Sequence, residues 1–166
     1  NGISGNGRAV GWRQNSGAYV NYVADWNAGG VSVWSPNGLD GTAAGQACCV
    51  SADGTIVFGL SPEAGGTAAT NYGYQAVFDA TYPGPATLLS IAPLPNFPDS
   101  AGSAYLAIPY GCTADGKYAV GMNYRGMEKA VLWDTHDANP TNWTVSDLTD
   151  LAIAGGALVL FVTGGG

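Results

Sequence analysis

The chain has 166 residues, of which 46% are hydrophobic and only 10% charged, with 26 glycines and a formal net charge of −7. That length suits one domain that buries about two thirds of its unfolded surface, and so few charges, against the ~25% usual in soluble domains, leave a surface of neutral polar groups and rings. Cations limited to Arg8, Arg13, Lys117, Arg125 and Lys129 exclude nucleic acid as an expected partner, because phosphate binding needs clustered positive charge, and no apolar run reaches the ~20 residues of a membrane helix.

The chain begins at Asn1 rather than Met, as expected where a signal peptide has been removed or where a longer chain is represented in part. The first unit opens on Ser4-Gly5-Asn6-Gly7-Arg8-Ala9-Val10-Gly11-Trp12. Its copies are Ser51-Ala52-Asp53-Gly54-Thr55-Ile56-Val57-Phe58-Gly59-Leu60 and Thr113-Ala114-Asp115-Gly116-Lys117-Tyr118-Ala119-Val120-Gly121-Met122, and a degraded fourth runs over residues 153–161. Repetition on this scale means stacked supersecondary units. The repeats divide a single domain, residues 1–166, at about 1–44, 45–102, 103–150 and a partial 151–166.

Each full unit reads as four short strands. In the second they are expected over 46–50, 55–60, 75–79 and 87–91, and in the third over 105–112, 117–122, 130–134 and 144–148. The Asp-Gly pair reverses the chain between the first two strands, since Gly accepts positive φ and Asp bonds its own backbone. Rings at Trp34, Phe78 and Trp133, each followed by Ser or Asp, serve as repeat markers expected to pack between neighbouring sheets. Stretches of variable length separate the markers. The first of them, residues 14–30, holds Tyr19, Tyr22 and Trp26, which with Tyr72 and Tyr74 are the candidate glycan contacts on loops. Helical periodicity of useful length is absent from the pattern.

The run Ser/Thr-Ala-Asp-Gly, a hydrophobic segment ending in Gly, then Gln75-Ala76-Val77-Phe78 or Lys129-Ala130-Val131-Leu132-Trp133, resembles the HAF-type repeats of bacterial extracellular and surface proteins. The resemblance covers the second and third units best. It implies propeller-blade-like repeats, an extracellular or cell-surface location, and a structural or adhesive role without catalytic residues to carry over. Three complete blades are fewer than the ~4 to 8 that close a ring. The first unit is expected to lack its opening strand, and residues 151–163 to supply an opening hairpin with nothing after it. The expected fold is therefore all-β, antiparallel and propeller-like, with the C-terminal hairpin completing the unfinished unit within one chain or between chains. The expected assembly strand is Leu158, Val159, Leu160, Phe161 and Val162, and its acceptor is Ile3, Val10 and Trp12.

The leading functional reading is a non-enzymatic extracellular structural protein that self-assembles into a filament or ring. A carbohydrate-binding or adhesive module is the second reading, and an extracellular glycan-active enzyme the third. The single histidine, His136, reads as a turn residue without a nucleophile signature, and carboxylate pairs among Asp25, Asp79, Asp99, Asp134 and Asp147 are the remaining enzymatic option. No cofactor is expected. Calcium remains possible at Asp134, Asp137, Asn139 and Asn142, which match no twelve-residue calcium loop. Asn142-Trp143-Thr144 fits a glycosylation acceptor. Cys48, Cys49 and Cys112 read as small core residues; Cys112 aligns with Val50, and adjacent Cys48 and Cys49 point to opposite faces of a strand.

Overall fold

A computed structural model describes residues 2–16, 18–27, 29–62, 71–97, 107–124 and 127–154. Twelve strands form three four-stranded antiparallel sheets, each a simple meander in chain order. The first sheet is β1 (Gly2–Ile3), β2 (Arg8–Asn15), β3 (Ala18–Asn27) and β4 (Gly30–Trp34). The second is β5 (Gln46–Val50), β6 (Ile56–Pro62), β7 (Asn71–Phe78) and β8 (Leu88–Pro93). The third is β9 (Ala107–Cys112), β10 (Tyr118–Tyr124), β11 (Glu128–Asp134) and β12 (Thr144–Asp147), followed by a helix, α1 (Leu148–Ala154).

Two expectations about the ends are corrected. The first unit has an opening strand, the two-residue β1, paired Gly2 to Val10 and Ile3 to Ala9. Residues 148–154, read as turn and strand, are helical, with Asp147 capping the first turn by accepting from the Thr149 N–H at 2.8 Å.

The three turns between first and second strands share one hydrogen-bond pattern. Gly7, Gly54 and Gly116 donate to the carbonyls of Ser4, Ser51 and Thr113 at 3.0–3.2 Å, and all three adopt positive φ (93°, 77° and 66°). That conformation is what the repeated glycine is for. Gly59 and Gly121 serve another purpose: a Cβ there would lie 2.5 Å from the Gln46 carbonyl and 2.0 Å from that of Ile108, so the neighbouring strand could not approach.

The sheets stack in series, first on second and second on third. One buried cluster joins Val10 and Val23 to Val57, Ala76 and Phe78. The other joins Cys49, Phe58 and Leu94 to Ala119, Val131 and Trp133. Near the turns the units are also linked by backbone: the Gly5 N–H donates to the Ala52 carbonyl at 2.7 Å, and the Ala52 N–H to the Ala114 carbonyl at 2.8 Å. Gly5, Ala52 and Ala114 occupy the same place in their units.

Candidate functional site

Strand register divides each sheet into two cross-strand rows, one per face. The row facing the preceding sheet is Val50–Val57–Ala76–Ile91 in the second unit and Cys112–Ala119–Trp133–Val145 in the third. The row facing the following sheet is Gly2–Val10–Val23–Trp34 in the first unit and Cys49–Phe58–Gln75–Ala92 in the second. These rows form the two clusters. Two rows of the same set face no other sheet among the described residues: Ile3–Ala9–Ala24–Val33 on the head of the first sheet and Gly111–Val120–Leu132–Ser146 on the tail of the third, whose strands β11 and β12 also contact α1. Ile3, Val33 and Val120 are exposed, and a shallow depression of about 250 Å³ lined by Gly111, Tyr118, Val120 and Leu132 marks the tail face.

The same register corrects the repeat markers. Trp34 lies on a fourth strand, whereas Phe78 and Trp133 lie on third strands. Trp133 is the counterpart of Ala76 and Ala24, because each pairs with the equivalent of Ala119. Phe78 instead matches Trp26 and Thr135, whose N–H groups make the same bond to the carbonyl at the start of the second strand. Phe78 is 4% exposed within the cluster; Trp26, at the same position on the bare head face, is 73% exposed.

The five rings proposed for glycans do not lie on loops; they fall on β3 and β7. Tyr74 is corrected outright. It is 1% exposed, its hydroxyl donates to Asn21 Oδ1 at 3.2 Å, and burial pushes its phenol far above the usual range. Tyr19 stacks edge-on against Trp12, centroids 4.7 Å apart, on the opposite face of the first sheet from Tyr22 and Trp26. Tyr22 lies beneath the Arg13 guanidinium, and Tyr72 is half-buried. The rings therefore form no single platform. Among the acceptor residues, Val10 is buried and paired on both sides, with Gly2 and Val23, which removes it as an open edge; Ile3 and Trp12 are exposed. Leu158, Val159, Leu160, Phe161 and Val162 lie outside the described residues.

The acidic candidates are held in local bonds. Asp25 forms a buried pair with Arg8, and Asp147 lies 3.3 Å from Lys129 Nζ. Asp134 and Asp147 point to opposite faces of the third sheet, since Asp134 sits opposite Thr144 and Asp147 opposite Val131. Asp79 accepts from the Thr81 N–H, and Asp99 lies outside the described residues. His136 is an exposed loop residue whose Nδ1 meets the Asp134 carboxylate. Asp137 accepts from the Asn139 N–H at 2.8 Å and Asn142 Nδ2 at 3.0 Å, and Asn139 caps the turn at Thr141. These oxygens thus close their own loop. A cleft of about 360 Å³ beside it, between the second and third sheets, has Ile56, Val77 and Trp143 among its apolar lining and Asp115 and Lys117 at its rim.

Hydrogen bonds hold several carboxyls below their usual range: Thr113 at Asp115, His136 at Asp134, and the Asn139 amide at Asp137. Burial pushes the Asp147 carboxyl up, but the Thr149 N–H and Lys129 outweigh it and the net direction is down. A depressed carboxyl contributes stability that is present above the unfolded pKa of about 3.9 and lost as pH falls through the folded value. The thermal midpoint is therefore expected to be level from pH 7 to 5 and to fall below about pH 4, as a calorimetric series would record.

The thiols differ in reactivity. Burial pushes Cys48 up to about 11. Cys49, on the row facing the third sheet, donates to Cys112 across the cluster and is buried, both of which keep it protonated, while Cys112 is lowered by accepting that bond. Iodoacetamide at neutral pH is expected to label Cys112 first, with peptide mapping as the readout; earlier labelling of Cys49 would contradict the arrangement.

The association rows escaped the sequence reading although a signal was present. In Tyr118-Ala119-Val120 and in Val31, Val33 and Trp34 both alternating sets are apolar, the pattern of strands covered on two faces. No family model matches this chain, and neither a curated protein nor a solved structure matches it.

Proposed function

We propose that this chain is a non-enzymatic structural repeat protein of the cell exterior, a propeller-like segment that acts by associating with itself. One observation carries the reading: the middle sheet is covered on both faces by its neighbours, while the equivalent rows of the end sheets face no other sheet among the described residues and expose Ile3, Val33 and Val120. Apolar faces of that kind mark association surfaces. The low charge and the resemblance to HAF-type surface repeats favour the same reading and supply the location.

Strand complementation is a second route to the same end. β2 continues past the two-residue β1, so among the described residues no strand pairs with its later residues on that side, and the segment from Leu158 to Val162 is the proposed donor. Deleting residues 158–166 is expected to reduce the assembled fraction, read by light scattering and electron microscopy. An unchanged mass distribution would remove the tail from the account. The exposed Trp26 and the Trp12–Tyr19 pair favour carbohydrate binding as the alternative. A monodisperse monomer that binds sugars on a glycan array would replace self-association with that reading.

A further inference from the structure

We infer that the tail face of the third sheet docks on the head face of the first sheet of a second copy, and that two copies close into a ring of six sheets. The inference rests on the self-association reading and specifies its partner, register and stoichiometry.

The molecule already contains this interface twice. The first unit's following row packs on the second unit's preceding row, and the second's following row packs on the third's preceding row. Applying the same step once more places Gly111–Val120–Leu132–Ser146 against a row equivalent to Val50–Val57–Ala76–Ile91. The matching bare row is Ile3–Ala9–Ala24–Val33. Neither row carries a charge; beside them by register stand Arg13 on the head face and Glu128 and Asp134 on the tail face, which are opposite in sign.

Two further features fit that register. In the second unit Phe78 lies on the preceding face and is buried by the first sheet; Trp26 holds that position on the head face and is exposed. The second feature is the backbone chain near the turns. Gly5 donates to Ala52 and Ala52 to Ala114, whereas the Ala114 N–H and the Gly5 carbonyl make no such bond among the described residues. One more step joins Ala114 of one copy to Gly5 of the next. A head-to-tail contact either closes or extends into a fibre. Rings of four to eight sheets close, so two copies with three sheets each fit within the range and three copies, with nine, exceed it.

The test uses the full chain and two substitutions on opposite ends, Val33→Asp and Val120→Asp, at side chains that are 48% and 43% exposed. Light scattering after size exclusion is expected to give the parent twice its 16.8 kDa chain mass. Each variant is expected to fall to half the parent mass with an unchanged far-ultraviolet spectrum. Mixing the two variants is expected to return doubled mass through the one intact junction, the tail of Val33→Asp on the head of Val120→Asp, as an open pair that needs a higher concentration than the parent; this recovery also shows that both are folded. Loss of the dimer in only one variant indicates a like-with-like contact and overturns the inference. A parent polymer or higher ring overturns the closed pair but leaves self-association standing. A parent mass of 16.8 kDa at every concentration overturns both.

Discussion

Asp25→Asn is expected to destabilise the chain by about 3–5 kcal/mol, the usual cost of leaving one partner of a buried pair without the other. Arg8 Nε and Nη2 donate to Asp25 Oδ1 and Oδ2 at 2.8 and 3.0 Å, the two-pronged geometry that a planar guanidinium supplies. Both residues are buried. Arg8 also reaches into the second unit: Nη1 donates to the Gly54 carbonyl at 2.8 Å and Nη2 to that of Thr81 at 2.7 Å, while Gly84 N–H donates to Asp25 at 3.0 Å. Trp34 packs on the guanidinium at 4.9 Å.

The pair therefore holds the first sheet to the turn and outer loop of the second. Arg8→Lys is expected to lose most of the same stability, because an ammonium cannot span Asp25, Gly54 and Thr81 at once. Urea denaturation would measure both losses, and salt should change them little, since buried charges are weakly screened. A loss below about 1 kcal/mol for Asp25→Asn, the range of exposed pairs, would show that the pair is not what joins the units.

The Asn-Gly of the first unit and the Asp-Gly of the second and third made the three hairpins legible, because a glycine at positive φ after an Asn or Asp is a local requirement that tertiary context rarely alters. Gln46–Val50 was legible to the residue, and the expectation that Cys112 aligns with Val50 agrees with the register. The third strands were harder. Tyr19 to Trp26 read as an insertion because its alternation sets aromatic and polar residues on both faces, yet it is the middle of β3. The ring markers misled for a related reason: Trp34, Phe78 and Trp133 end similar runs of sequence but occupy three positions in the unit, and only pairing partners reveal that. Arg8 read as one of a few scattered cations; its pairing with Asp25 needed the β2–β3 register to appear. Strands apolar on both faces, as at Tyr118-Ala119-Val120, signal two covered faces, but which sheets lack a neighbour is a property of stacking order that no single strand encodes.

Trp133→Ala is the second large effect, expected at about 3–5 kcal/mol for truncating a buried indole. The ring is fully buried in the centre of the row that meets the second sheet, among Phe58, Leu94 and Ala119, and its Nε1–H donates to the Pro95 carbonyl at 2.9 Å. That bond ties the segment after β8 to the third sheet. Since total stability of a domain is about 5–15 kcal/mol, and the third sheet packs on the second, the variant should lose the third sheet before the other two. Denaturation followed by circular dichroism should then show two transitions in place of one, with the amides of β9 to β12 exchanging early. Trp26→Ala provides the contrast. Its ring is exposed, so the isolated chain should lose less than about 0.5 kcal/mol, but any head-to-tail assembly should weaken, because Trp26 stands where Phe78 is buried in the next unit. Equal losses from the two substitutions would mean that the third sheet is not held through Trp133.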